Sequence, residues 1–276
     1  LGSGLYGSST NWAAIITDAG SNQLFIPADP LILDLNGDGV TLSNYTDSVA
    51  LFDIDHDGGS REHTGWVKTA GVDGKDTDGI LVHDLNGDGR INGINETLSE
   101  YYKGVAGKNG NAGTRPYSDG LAALKSLDSN GDNVFNSADA AWGVLRVWVD
   151  VNGDGLSFKD SNGNGSLDNG EASELKTIAE LGITSISLAS QEQSGLVNGG
   201  NEILASTSFV RNGLVRAAEA VRFIANPNGH TFSTSSTGSI ISSQSDGATI
   251  ASYVSSISSA QQLNAAALSV SNIYAG

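Results

Sequence analysis

Cysteine and methionine are both missing from the 276 residues. Without cysteine, neither a disulfide nor a thiolate metal site can staple the fold. Without methionine even at position 1, the chain is expected to be a piece of a longer polypeptide. Positive charge is scarce too: 14 Lys and Arg stand against 31 Asp and Glu, a formal net charge of −17. Such a surface repels phosphate backbones and anionic lipid, so nucleic acid is not an expected partner. No apolar run approaches the roughly 20 residues that span a bilayer, and no basic-then-apolar leader opens the chain, so membrane insertion is not expected. The 38% of hydrophobic residues suffices for one large or two modest cores.

The acid is concentrated in short Gly/Asn loops. Six segments follow D-x-[DN]-x-[DN]: "DLNGDG" at 34, "DIDHDG" at 53, "DLNGDG" at 84, "DSNGDN" at 128, "DVNGDG" at 150 and "DSNGNG" at 160. Side chains at loop positions 1, 3 and 5 converge on one ion, and position 6 must turn left-handed, hence Gly or Asn. Oxygen-only ligands at this spacing favour Ca²⁺, and several ions are expected; five would bring the formal charge from −17 to about −7. One such hexapeptide could be a plain turn, but six in one chain are hard to explain that way.

The loops close to different degrees. Asp160, Asn162, Asn164, the Ser166 carbonyl, Asp168 and Glu171 form a full EF-hand complement, and Asp128, Asn130, Asp132 and Asp139 fill positions 1, 3, 5 and 12 of another. Asp84, Asn86 and Asp88 have Glu96 one residue beyond the twelfth place, so a bulge is needed. Asp150, Asn152 and Asp154 must borrow Asp160, Glu171 or Glu174. Asp34, Asn36 and Asp38, like Asp53, Asp55 and Asp57, lack a closing acid and must share ligands across strands or bind weakly.

Around these loops the chain reads as α+β: short strands and two or three helices organised by EF-hand-like calcium loops. Residues 1–24 read as a linker or the end of a preceding domain, 25–229 as the calcium-binding module, and 230–276 as a Ser/Thr/Gly-rich tail or the start of a next unit. Strand-like runs are "LILDL", "VALFDI", "TGWV", "ILVHDL" and "ITSISLAS". "ILASTSFV" and "LVRAAEAVRFIA" flank "RNG" as a hairpin, although "RAAEAV" has helical propensity. Leu121, Leu124 and Leu127 behind Ser118 and Asp119 predict one helix, and "GEASELKTIAELG" (170–182) a second, stopped by Gly182. "SAQQLNAAALSVSNIYAG" predicts a weak third.

The string "DPLILDLNGDGV … LFDIDHDG … TGWV … DGILVHDLNGDGRIN … GLAALKSLDSNGDNVFNSADAAWGVLRVWVDVNGDG … ELKTIAELGITSISL", in order over about residues 29–225, resembles the self-processing module of RTX proteins, the FrpC-like family. The resemblance implies calcium-dependent folding followed by autocatalytic cleavage of an Asp-Pro bond at the module's leading edge, here Asp29-Pro30. It also implies an aspartic anhydride that water opens or a lysine captures as an isopeptide. Asp29 would be the nucleophile and Pro30 the leaving group. Closing a five-membered ring onto its own carbonyl benefits from effective molarities on the order of 10⁵ M or more. The leaving proline nitrogen needs a proton, and His56, His63 and His83 are candidate donors by proximity to the loops. Whether calcium polarises the carbonyl or only folds the scaffold is open at this level; Asp34, Asn36 and Asp38 lie closest in sequence to the bond.

The resemblance further implies a protein of a bacterial surface or secreted by a type I route, an adhesin-like polypeptide whose partners are itself or a lysine of another protein. Lys68, Lys75, Lys103, Lys108, Lys125, Lys159 and Lys176 all remain possible acceptors. The chain departs from the family in "GINETLSEYYKG" after the third loop and in the insertion "FKDSNGNGSLDNGEAS". Two other readings compete: a non-cleaving calcium-rigidified segment of a secreted adhesin, in which Asp29-Pro30 is an ordinary strand entry, and a dockerin-like binding module. Four loops beyond the two of a dockerin argue against the latter.

Overall fold

A computed structural model describes residues 24–25, 28–58, 61–68, 78–108, 111–161, 165–225, 230–234 and 240–244. The expected linker and the weak third helix lie largely or wholly outside these residues.

The architecture is antiparallel β, not α+β. Its nine-stranded sheet runs, in spatial order, Leu175–Thr177, Arg146–Trp148, Gly79–Val82, Leu31–Leu33, Leu214–Arg222, Asn201–Arg211, Ile183–Ser187 and Val134–Asn136, with Gln191–Asn198 also paired to Asn201–Arg211. Among the described residues there is one α-helix, Gly120–Lys125, and one 3₁₀ turn, Ile94–Glu96. Apart from the loop at 128, which follows the Gly120–Lys125 helix, the acidic loops mostly leave the ends of strands, so few of the helical flanks expected of EF-hand-like loops are formed.

The expected helix over 170–182 is the clearest local correction. Leu175–Thr177 is instead an edge strand in register with Arg146–Trp148, Leu175 facing Trp148. The Leu175, Ile178 and Leu181 spacing is real, but Glu174 and Leu175 are committed to cross-chain bonds that a helix would break. The Glu174 amide donates to Ser157 O, and Val149 N donates to Glu174 O. Thr177 then starts a turn in which its own amide and hydroxyl both reach Glu180, at 2.7 Å each.

The helix at 120 does form, with Asp119 as N-cap accepting from Ala122 N at 2.7 Å. The hairpin forms too, closed by Asn212 (φ +51°) and Gly213 (φ +77°). Two consecutive left-handed residues are what a tight turn between right-twisted strands requires. "RAAEAV" is strand here because pairing on both edges outweighs its weak helical propensity.

The central strand Leu31–Leu33 is buried on both faces, which is why "LIL" shows no polar alternation. Leu31 and Leu33 join one core with Leu98, Tyr102, Leu121, Leu124, Phe135, Val147 and Phe209. Ile32 faces a second core with Phe52, Trp66, Ile80, Tyr101, Trp148 and Phe223. In the second core Trp66 stacks near Phe52, Trp148 and Phe223, each with ring centroids 5.3 Å apart, and its indole N–H donates to Asp150 Oδ2 at 2.8 Å. Asp29 and Pro30 lead directly into this strand, between the two cores.

Candidate functional site

The acidic loops share one backbone geometry. The sixth residue of each, from Gly39 (φ +95°) to Gly165 (φ +71°), is left-handed, and Asn133 (φ +62°) takes the place of glycine once. The leading aspartate gathers the loop's amides. Gly37 and Gly39 N donate to Asp34 at 2.6 and 3.2 Å, Gly87 and Gly89 to Asp84, Gly131 and Asn133 to Asp128, Gly153 and Gly155 to Asp150, and Gly165 to Asp160. Third-position amides repeat the pattern: Asn36, Asn86, Asn130 and Asn152 Oδ1 accept from Asp38, Asp88, Asp132 and Asp154 N.

Every loop also has an acid that grips the amide of its second residue. Glu96 accepts from Leu85 and Asn92 N at 3.0 and 2.8 Å, so one residue of bulge does bring it back. Asp139 does the same for Ser129 and Asn136 N, both at 2.8 Å, and Glu171 for Ser161 and Asp168 N. Glu174, of the three candidates, takes the Val151 amide and so belongs to the loop at 150. The two loops that lack a closing acid in sequence receive one from elsewhere. Asp78 accepts from Leu35 and Thr41 N at 3.3 and 2.7 Å, and Glu62 from Ile54 N at 2.9 Å. Asn162 and Asn164 lie outside the described residues, and Asp57 and Asp168 lie at half-buried and exposed places in their loops.

These groups fit a hard cation. Carboxylate oxygens of Asp53, Asp55 and Glu62 lie within 4.8 Å of one another, and Asp53 Oδ1 and Asp55 Oδ1 are buried without a hydrogen-bond partner. Burial, and then the neighbouring aspartates, push Asp55 up to about 7 and Glu62 well above the ordinary range. Burial pushes Asp78 up to about 7. At the loop starting at 150, burial followed by the Asp150 charge raises Glu174 to about 8 and Asp154 well above its usual value. Clustered carboxyls that cannot ionise together are the groups a divalent ion would relieve. Asp53, Asp55 and Glu62, and Asp150, Asn152, Asp154 and Glu174, would hold such ions, as would the four remaining loops with their closing acids.

The Asp29-Pro30 bond is buried, with Asp29 only 1% exposed. Hydrogen bonds fix it on every side. Phe223 N donates to Ala28 O, Val221 N to Pro30 O at 3.2 Å, and Leu31 N to Leu98 O at 2.9 Å. Glu100 makes a reciprocal pair with Asp29. The Asp29 amide donates to Glu100 Oε2 at 2.8 Å, and the Glu100 amide donates to Asp29 Oδ1 at 3.0 Å. Both carboxyls are held above the ordinary range by burial, Asp29 further by the Glu100 charge and the contact with it, so ionising both together is disfavoured.

Gly120 presses on the same bond. A Cβ there would sit 2.7 Å from Asp29 O, 2.4 Å from Leu98 O and 3.0 Å from Leu31 N.

The structure does not bring Asp34, Asn36 and Asp38 to the bond. They leave the far end of the Leu31–Leu33 strand, on the order of 15 Å away at about 3.3 Å per residue. The histidines face other groups: His56 Nδ1 lies 3.8 Å from Asp53 without a hydrogen bond, His63 Nε2 donates to Ser48 O, and His83 Nδ1 meets the Tyr102 hydroxyl. Of the acceptor candidates, Lys75 lies outside the described residues, while Lys103 sits over the Tyr102 ring. Sequence reading missed Glu62, Asp78, Glu100 and Gly120. Asp78 is 43 residues from the amide it holds and Glu100 is 71 from Asp29, so no local spacing could announce either.

A buried Asp-Pro bond at the entry to an antiparallel β-module studded with acidic loops describes the chain; residues 31–224, from just beyond that bond, match the SPM domain, and the chain belongs to that family. The chain is also 37% identical over 204 residues to the iron-regulated protein FrpA of Neisseria meningitidis serogroup C. That alignment covers 74% of this chain and 16% of FrpA, so the chain spans a small part of its relative. Among the described residues no helix is long and apolar enough to cross a membrane.

Proposed function

We propose that this module cleaves its own Asp29-Pro30 bond when its loops bind calcium, leaving a C-terminal aspartic anhydride that water opens or a lysine captures. The observation that carries the reading is the setting of the bond. Asp29 is buried, its carboxyl is held by the Glu100 main-chain amide, and the backbone on both sides is pinned. A mere strand entry does not require a buried titratable carboxyl, since burying one costs stability.

Calcium, when bound, supplies the charge that lets the loop carboxylates ionise together and stay closed. The chain's own groups do the rest. The Val221, Phe223 and Leu98 contacts fix the main chain, and the two cores exclude water that would compete with the Asp29 carboxylate. In a secreted parent protein, low cytosolic calcium would leave the module open until export; its partners would be its own lysines or those of a neighbouring surface protein.

Intact-mass spectrometry of the calcium-free chain before and after millimolar Ca²⁺ at neutral pH tests this. Two fragments meeting at residues 29 and 30, absent from Asp29→Ala although that variant still folds with calcium, are expected. An unchanged mass in a chain that has folded would leave the loops a structural scaffold.

A further inference from the structure

Resting on the proposed cleavage, and supplying the proton carrier that it lacks, we infer that Glu100 is a catalytic residue that takes the Asp29 carboxyl proton and delivers it to the Pro30 nitrogen. Three features support this. Glu100 touches Asp29 twice, through its carboxylate and through its amide. It is 3% exposed, shielded from bulk solvent. It belongs to none of the six calcium loops, so its retention in the interior is otherwise unexplained.

The position is also strict. Its carboxylate accepts from the amide of the very residue whose carbonyl carbon is attacked, while Leu98, two residues earlier, holds Leu31 on the other side of the proline. The run 98–100 thus brackets the breaking bond. No histidine reaches it.

The chemistry balances without a co-reactant. Asp29 gives its carboxyl proton to Glu100, and its freed oxygen forms a bond to the Asp29 carbonyl carbon. The carbon–nitrogen bond to Pro30 breaks, and the leaving nitrogen takes the proton from Glu100, which returns to its starting state. The products are a cyclic anhydride on Asp29 and a neutral secondary amine, its N–H now carrying the transferred proton, on Pro30. A shared proton fits this sequence, since ionising two adjacent buried carboxyls together is disfavoured. The other charges facing the pair are Asp119, at the cap of the Gly120–Lys125 helix, and Arg115; Tyr101 and Asp55 lie in the same surroundings.

The test follows cleavage by intact mass in the full chain at saturating Ca²⁺, with tryptophan fluorescence reporting folding. Glu100→Gln keeps an acceptor for the Asp29 amide but cannot carry the proton. It is expected to fold with calcium and to be cut ~10²-fold more slowly or worse, the usual worth of general acid–base catalysis, while Glu100→Asp regains part of the rate. A folded Glu100→Gln cut at the wild-type rate overturns the inference and leaves the cleavage reading intact; a wild-type chain that is never cut overturns that reading instead. Should Glu100→Gln not fold, the wild-type pH profile decides. A rate that falls as alkali strips the shared proton is expected, and one that rises steadily to pH 9 would refute the shuttle.

Discussion

Replacing Gly120 by alanine is a sharp perturbation of the scissile bond, because the glycine touches it without sharing its chemistry. The added methyl would lie 2.7 Å from Asp29 O and 2.4 Å from Leu98 O, where ordinary contact begins near 3.4 Å. Asp29 O would have to retreat by about 0.7 Å and Leu98 O by about 1 Å, and neither is a flexible side-chain end. Overpacking of this kind typically costs about 1–3 kcal/mol of stability, and a misplacement near 1 Å can cost on the order of 10²-fold in an intramolecular step. Urea denaturation in Ca²⁺ reads the first quantity and the rate of fragment appearance reads the second. Gly143→Ala serves as the control, since nothing lies within 4 Å of its Cβ position. Gly120→Ala with wild-type stability and wild-type cleavage would show that the helix terminus does not set the geometry of the bond.

Four further outcomes are expected. Glu62→Gln and Asp78→Asn should each weaken binding at one calcium site by calorimetry, whereas Glu202→Gln, which only pairs with Arg222 near the surface, should not; unchanged isotherms would remove both acids from the ligand sets. Asp55, Asp78 and Glu174 have folded values of about 7, 7 and 8, above their unfolded ones. The calcium-free fold therefore binds more protons than the unfolded chain from about pH 4 to 8 and loses stability as pH rises through that window. Denaturant midpoints should fall from pH 5.5 to 8 without calcium and flatten with it; a midpoint rising with pH would reverse the argument. Trp66→Phe removes the donor to buried Asp150 and should destabilise the calcium-free chain by about 1–3 kcal/mol, read by the same denaturation. Asp84→Ala should slow cleavage more than Asp160→Ala, and equal rates would make the calcium effect global.

The loops were legible because their rules are local. Alternate oxygens, then a left-handed sixth residue, are written within six positions, and Asn133 could be recognised as a turning residue from its place alone. Strands next to the loops and the Asn212-Gly213 hairpin were legible for the same reason. The fold class was not. EF-hand spacing suggests helical flanks, yet the residues after Asp34 and Asp53 lead into loops closed by acids from other segments, Asp78 and Glu62. At 170–182 a three-residue apolar spacing, sound as a local signal, yielded to the bonds of Glu174 and Leu175 across the sheet. Glu62, Asp78 and Glu100 act through contacts that exist only once the strands are paired, so no pattern along the chain records them.

That non-local closure also bears on how ion binding could govern a bond it does not touch. Glu96 closes the loop at 84 and begins the run that delivers Leu98 O to Leu31 N and Glu100 to Asp29. On the other side, the loop at 53 holds the same segment by its carbonyls: Asp53 O accepts from Ile94 N, His56 O from Gly107 N and Asp55 O from Gly113 N. Both loops thus clamp residues 94–113, and both are built on carboxyls that repel when ionised without a cation. Opening either would free the segment that carries Glu100 and unpin the strand entry. Proximity in sequence favoured the loop at 34 as the ion nearest the bond; the hydrogen bonds instead make the loops at 53 and 84 the ones mechanically joined to it.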